Sequence, residues 1–267
     1  MAALVAVVAA GVVDNPLILF FEFARTSFIL VENQYKLVKI FVFLFFALFC
    51  IANCFGQDTV NHKNWLTNTV LERYKTLKPD EKTRVGPYKA YYKRRTLIAD
   101  GRYDKGVKVG MWSFYDDEGK LSEKYDFDKT EYIYEAPLDT DTNVHFGFDA
   151  EIKAGDRVTR PLKIGGMYFG LVPYVGAFRL PFETEGYNMD YFDAIVELLV
   201  SPGGRLADYK VRLLSKAYNY DQTFNFDVGL FSEEDKQFSP ATVNHRPVLA
   251  RIFIRCSINY DGSLDFY

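Results

Sequence analysis

The sequence predicts an α+β fold dominated by antiparallel β-sheet: a meander of hairpins, then a second sheet carrying one short helix. Three observations predict it. Of 267 residues, 24 are Phe and 19 are Tyr, and flat rings pack well on a pleated surface. A pattern of aromatic, apolar and glycine residues recurs every 24 positions between Val85 and Lys129. A Ser-Pro-Gly-Gly turn between apolar runs and a long period-two strand occupy the last third. The chain is 49% hydrophobic and 25% charged, with 32 Lys and Arg against 35 Asp and Glu. That composition excludes a disordered chain and lacks the basic excess of a non-specific nucleic-acid binder.

Five segments follow in order. Residues 1–57 hold an N-terminal extension and a signal peptide or short anchor. Lys36 and Lys39 precede thirteen uncharged residues, Ile40 to Ala52, and a polar chain begins at Asp58. That apolar length suits a secretory core of about 7–15 residues better than a span of about 20. Phe55-Gly56-Gln57 resembles cleavage sites common in secreted Bacteroidetes proteins. Two alternatives stay open: Ile51-Ala-Asn-Cys54 loosely resembles a lipobox that would acylate Cys54, and the segment could stay uncleaved as an anchor. Met1 to Val13 is apolar but lacks a basic flank, so translation is expected to start just before Lys36, the alternative being that residues 1–35 hold a second membrane helix. The expected location is therefore the periplasm or cell envelope.

Residues 58–83 read as a polar leader. In 84–129, Val85-Gly86 recurs as Val109-Gly110, Tyr88 as Trp112, Tyr91 as Tyr115 and Leu97 as Leu121. Each copy reads as a hairpin; Asp116 to Gly119 turns the second, and Leu121, Glu123, Tyr125 and Phe127 share a face. One hairpin cannot bury its face alone, so the copies must stack. Gly110, Trp112, Tyr115, Gly119 and Leu121 resemble the MORN repeat. The first copy, with Gly86, Tyr88 and Tyr91, departs from it by carrying Tyr88 for tryptophan and Arg95 at the turn glycine. The resemblance implies a MORN-like meander that contacts proteins or membranes and carries no chemistry.

Residues 130–160 read as a linker with a strand over Val144 to Ile152. Residues 161–267 read as a second module. Ala194 to Val200 and Arg205 to Val211 flank Ser201-Pro-Gly-Gly204 as a hairpin. Ser232-Glu-Glu-Asp235 offers an N-cap and acids for a short helix. Val248, Ala250, Ile252, Ile254, Cys256 and Ile258 alternate on one face of a last strand. Phe238, Pro240, Ala241, Asn244, Pro247 and Val248 resemble the Trp-x-Pro-Ala-x-x-Asn-Gly-x-Pro-Val motif of TonB-type C-terminal domains. His245 stands at the turn glycine, and Tyr218 to Lys236, where the family has its helix, is poor in Ala and Leu.

The resemblance implies a TonB-like sheet whose edge accepts an extended segment of a protein partner, such as an outer-membrane transporter. The edge expected here runs along Val248, Ala250, Arg251, Ile252, Ile254 and Arg255, with the arginines meeting an acidic partner. The alternative is a structural or scaffolding envelope protein without energy transduction. No enzyme activity, cofactor, metal or nucleic-acid partner is expected. His62, His145 and His245 are scattered, Cys256 is left alone as a buried strand thiol, and no phosphate loop, nucleophile elbow or zinc motif occurs.

Overall fold

The computed structural model describes residues 58–137, 143–181, 184 and 186–266, together with Lys39. The apolar segment with Cys50 and Cys54, residues 138–142 and Tyr267 lie outside the described residues. No helix among the described residues is long and apolar enough to cross a membrane. Residues 58–267 form one compact unit, β-dominated and antiparallel as expected.

The first sheet is a seven-stranded meander, each strand pairing with the next in sequence. Its strands are β1 (Thr59–Trp65), β2 (Val70–Leu77), β3 (Arg84–Tyr92), β4 (Thr96–Asp104), β5 (Val107–Tyr115), β6 (Leu121–Asp126) and β7 (Glu131–Glu135). The repeat supplies β3 to β6. The polar leader expected over 58–83 is instead the hairpin β1–β2, and the first part of the expected linker is β7. Neither flank carries the repeat motif, but each covers a strand that would otherwise be open. The two repeat turns keep the same spacing between Tyr91↔Leu97 and Tyr115↔Leu121 but have different backbones. Gly119 takes φ +87° in the second copy, whereas Lys93 and Arg94 take φ +45° and +64° in the first. Without a glycine at position 95, the left-handed conformation falls on the two residues just before it.

The second sheet has the order β12-β11-β10-β15, with β8 and β16 both beyond β15. These are β8 (Val144–Phe148), β10 (Asp193–Val200), β11 (Leu206–Ser215), β12 (Tyr220–Phe226), β15 (Ala250–Ile258) and β16 (Leu264–Phe266). A third, small sheet joins β9 (Val158–Thr159) to the hairpin β13 (Ala241–Val243) and β14 (Arg246–Val248). The strand expected over Val144 to Ile152 ends at Phe148. The helix expected at Ser232 is a single turn: Ser232 Oγ accepts from the Asp235 amide at 3.1 Å, and the chain then bends away. The stretch from Tyr218, expected to carry a family helix, contains β12. Alternating Tyr220, Phe224 and Phe226 pack on the core there, a period of two rather than 3.6. Among the described residues the α-helix is α1 (Val172–Gly176), with Pro173 in its first turn.

Two apolar cores result. Tyr88, Ile98, Trp112, Phe114 and Tyr125 fill the first; Val196, Leu198, Val211, Leu213, Ile252 and Ile254 fill the second. The segment leading into and through α1 supplies both. Tyr168, Phe169 and Val172 pack in the first core, while Leu171, Tyr174, Val175 and Phe178 pack in the second. The two modules expected as separate domains are therefore built on a shared stretch of chain.

Candidate functional site

The strand expected to offer an open edge does not. On one side β15 pairs with β10 from Val200↔Ala250 to Ala194↔Cys256. On the other, β8 covers Ala250 to Ile254 and β16 covers Cys256 to Ile258. Its inward row is as expected, with Ala250, Ile252, Ile254 and Cys256 buried. Period two reports which face is buried and says nothing of which strands lie alongside. The outward arginines are occupied as well: Arg251 Nε stands 3.2 Å from Glu197 and Arg255 donates to Asp193 at 2.9 Å. Val248 lies on β14, outside this strand. Burial pushes the Cys256 thiol up to about 12, so it stays protonated in the core.

The remaining motif residues build the small sheet and its anchor. Phe238 packs on Tyr174 with ring centroids 5.9 Å apart, beneath the Lys163 ammonium. Ala241 is fully buried at the start of β13. Asn244 and His245 form the two-residue turn to β14 at φ +49° and +65°, a hairpin geometry that favours Asn-Gly. Asn244 donates to Asp156 at 2.7 Å and accepts from the Arg157 amide at 3.0 Å, holding β9 against β13. Pro247 pairs opposite Thr242 and Val248 opposite Ala241. Pro240 lies between Phe238 and this hairpin, with its Cδ close to Gly204.

The repeat-motif residues do converge. Gly86 and Gly110 take matching left-handed conformations at φ +71° and +63°. Tyr88 and Trp112 meet in the core at 5.2 Å between centroids. Tyr91, Tyr115 and Leu121 are half-buried.

The repeat spacing left the polar groups beneath these rings invisible. Glu72, 1% exposed, accepts from Asn64 at 3.0 Å, Arg84 at 2.9 Å and the Tyr88 hydroxyl at 2.9 Å. These bonds satisfy a carboxylate that burial would otherwise penalise. Burial and this carboxylate push the Tyr88 phenol well above its ordinary range. A cleft of about 460 Å³ opens beside them and is lined by Lys108, Lys163, Glu234 and Asp235. Its charges are engaged internally: Arg84 with Glu72, Lys108 with Glu234, and Lys163 Nζ with the carbonyls of Glu234 and Gln237. Burial lowers the Lys163 ammonium to about 8. Next to it, Glu123 accepts from the Gly165 amide at 2.9 Å, and burial raises its carboxyl to about 7. These groups hold the α1 segment and the turn at Ser232 against the meander, and a ligand entering the cleft would have to break them.

The histidines sit apart on β1, on β8 and in the β13–β14 turn. Among the described residues, strands paired on one side only are β1 and β7 of the first sheet, β12, β8 and β16 of the second, and β9 and β14 of the small one. No family model matches this chain, and no curated protein or solved structure matches it either.

Proposed function

We propose that this chain is a non-catalytic cell-envelope protein that holds an extended segment of a protein partner by strand addition, along β12 rather than along β15. The observation that carries this reading is the outer side of β12. Asp221 to Phe226 pairs with β11 alone among the described residues. Edges of this kind are ordinarily protected by lysine or proline, and β12 contains neither. Its single acid, Asp221, is tied to Arg212 through two bonds of 2.8 and 2.6 Å. The unpaired backbone groups of such an edge can take main-chain hydrogen bonds from another chain. The TonB-type resemblance extends the reading to a partner of the outer membrane, and the apolar segment before Asp58 supplies the export.

The test is a photo-crosslinking residue at Thr223, introduced in the native envelope, beside the same residue at exposed Lys153. A discrete protein adduct at position 223 alone, mapping to one extended segment of the partner, is the expected outcome. Equal labelling at both positions would leave the scaffolding alternative, which the shared stretch beneath the two cores favours.

A further inference from the structure

The outer face of the meander carries a cation ladder that its fold does not need. The registers Lys63↔Arg73 and Arg73↔Lys89 place three positive side chains on one rung across β1, β2 and β3. Lys75 stands on the next rung opposite Asn61. Like charges directly opposite one another destabilise a sheet. Among the described residues, Lys63, Arg73 and Lys75 have no acidic partner, and Lys89 has only Asp100 at 3.9 Å. The Arg73 guanidinium lies over Tyr91 at 4.9 Å, which holds it on this face. The four cations line a groove of about 640 Å³ with Asn61 and Pro87, and no acid lines it. The concentration is local. Residues 58–104 hold 11 Lys and Arg against 6 Asp and Glu, whereas 105–267 hold 18 against 26.

We propose that this groove binds an acidic, extended polypeptide segment. Charge complementarity sets the sign of the occupant: repulsion built into three adjacent strands is relieved by carboxylates lying between them. Shape sets the class. The groove runs along a rung that crosses three strands, a path an extended chain can follow with its side chains over successive cations. The dimensions agree. Three strands set the outer cations about 10 Å apart, and acids at positions i and i+2 of an extended peptide lie about 7 Å apart, so two fall within the ladder. On the rung beside it, Trp65 is 43% exposed and carries Arg94 over its ring, extending the positive surface. This surface belongs to the first sheet and is separate from β12, so it stands whether or not that edge takes a partner.

The experiment uses the full chain and a fluorescently labelled decaglutamate peptide, read by anisotropy at low and physiological salt. The variant Lys63→Gln, Arg73→Gln, Lys89→Gln is expected to bind at least tenfold more weakly and to melt no lower than the parent, since repulsion has been removed. A charge-matched control, Lys105→Gln, Lys129→Gln, Lys153→Gln, is expected to keep full affinity. Equal losses in both variants would reduce the effect to overall charge and overturn the proposal. So would unchanged binding by the ladder variant. Tighter, ladder-dependent binding to vesicles of anionic phospholipid than to the peptide would replace the peptide with a membrane. A dimer dissolved by the ladder substitutions would replace it with the acidic remainder of a second copy.

Discussion

The Phe238 amide donates to the Gly204 carbonyl at 2.8 Å, and the Phe238 carbonyl oxygen stands within clash distance of where a Cβ on Gly204 would lie. The tight turn between β10 and β11 and the aromatic residue ahead of β13 are thus one piece of structure. Gly204 adopts φ +71°, and Pro240 Cδ would be 3.3 Å from the same added carbon. Gly203, its neighbour, has no left-handed φ, and an added carbon there would meet only Ser201 Oγ at 3.8 Å.

Gly204→Ala is therefore expected to destabilise the protein by about 2–3 kcal/mol, combining left-handed strain with displacement of the Phe238 backbone. Gly203→Ala is expected to fall within about 0.5 kcal/mol of the parent. Urea unfolding of the two variants checks this. Equal midpoints would show that the turn is free of Phe238.

Glu123 gives stability a pH dependence of definite sign. Burial raises its folded-state carboxyl to about 7, against the pull of the Gly165 and Gly166 amides and with repulsion from Glu135 adding to it. The folded protein therefore holds this proton more tightly than the unfolded chain. The stabilisation is fully present below the ordinary glutamate value near pH 4.5 and is lost as pH rises through about 7, with a total on the order of 3 kcal/mol. Glu123→Gln keeps a carbonyl acceptor for the Gly165 amide and removes the titration. Asp265 is also raised by burial, so the difference between parent and variant isolates Glu123. Denaturant midpoints from pH 5 to 8 are expected to fall for the parent and to flatten for the variant. Parallel curves would place the titration elsewhere.

His245 occupies a left-handed position beside left-handed Asn244 in a two-residue hairpin turn. His245→Gly restores the residue that this turn prefers and is expected to stabilise by about 0.5–1 kcal/mol, the relief of side-chain strain being partly offset by the freer unfolded chain. A melting temperature raised by a few degrees is the expected reading; a lowered one would mean that the imidazole contributes more than the strain costs.

Much of the architecture was legible because it is local. The 24-residue period located β3 to β6, Ser201 to Gly204 located the β10–β11 turn, and the alternation from Ala250 to Cys256 marked the buried side of β15. What was not legible depends on chain returning from far away. β8 closes β15 from about 100 residues upstream, and no local pattern announces that pairing; β16, by contrast, follows β15 through a short turn at Asn259 to Ser263. β1, β2 and β7 carry no repeat motif, yet they extend the sheet because an exposed backbone ladder accepts any compatible strand. Glu72 looked like one acid among many until β2 and β3 brought it beneath Arg84 and Tyr88. The cation ladder was hidden for the same reason: Lys63, Arg73 and Lys89 are 10 and 16 residues apart in sequence and become neighbours only through register.

Tyr168 to Phe178 sends side chains into both cores, and this limits how the molecule could be taken apart. The halves are not interchangeable cassettes. A gene cut between Asp128 and Pro161 would separate Tyr88 and Phe114 from Phe169, which packs on both rings, and would deprive the N-terminal fragment of its closing layer. Heat or denaturant acts on both sides of this rivet at once, so loss of one half drags the other with it. Whatever the two surfaces hold is gripped by a body that gives way as a whole.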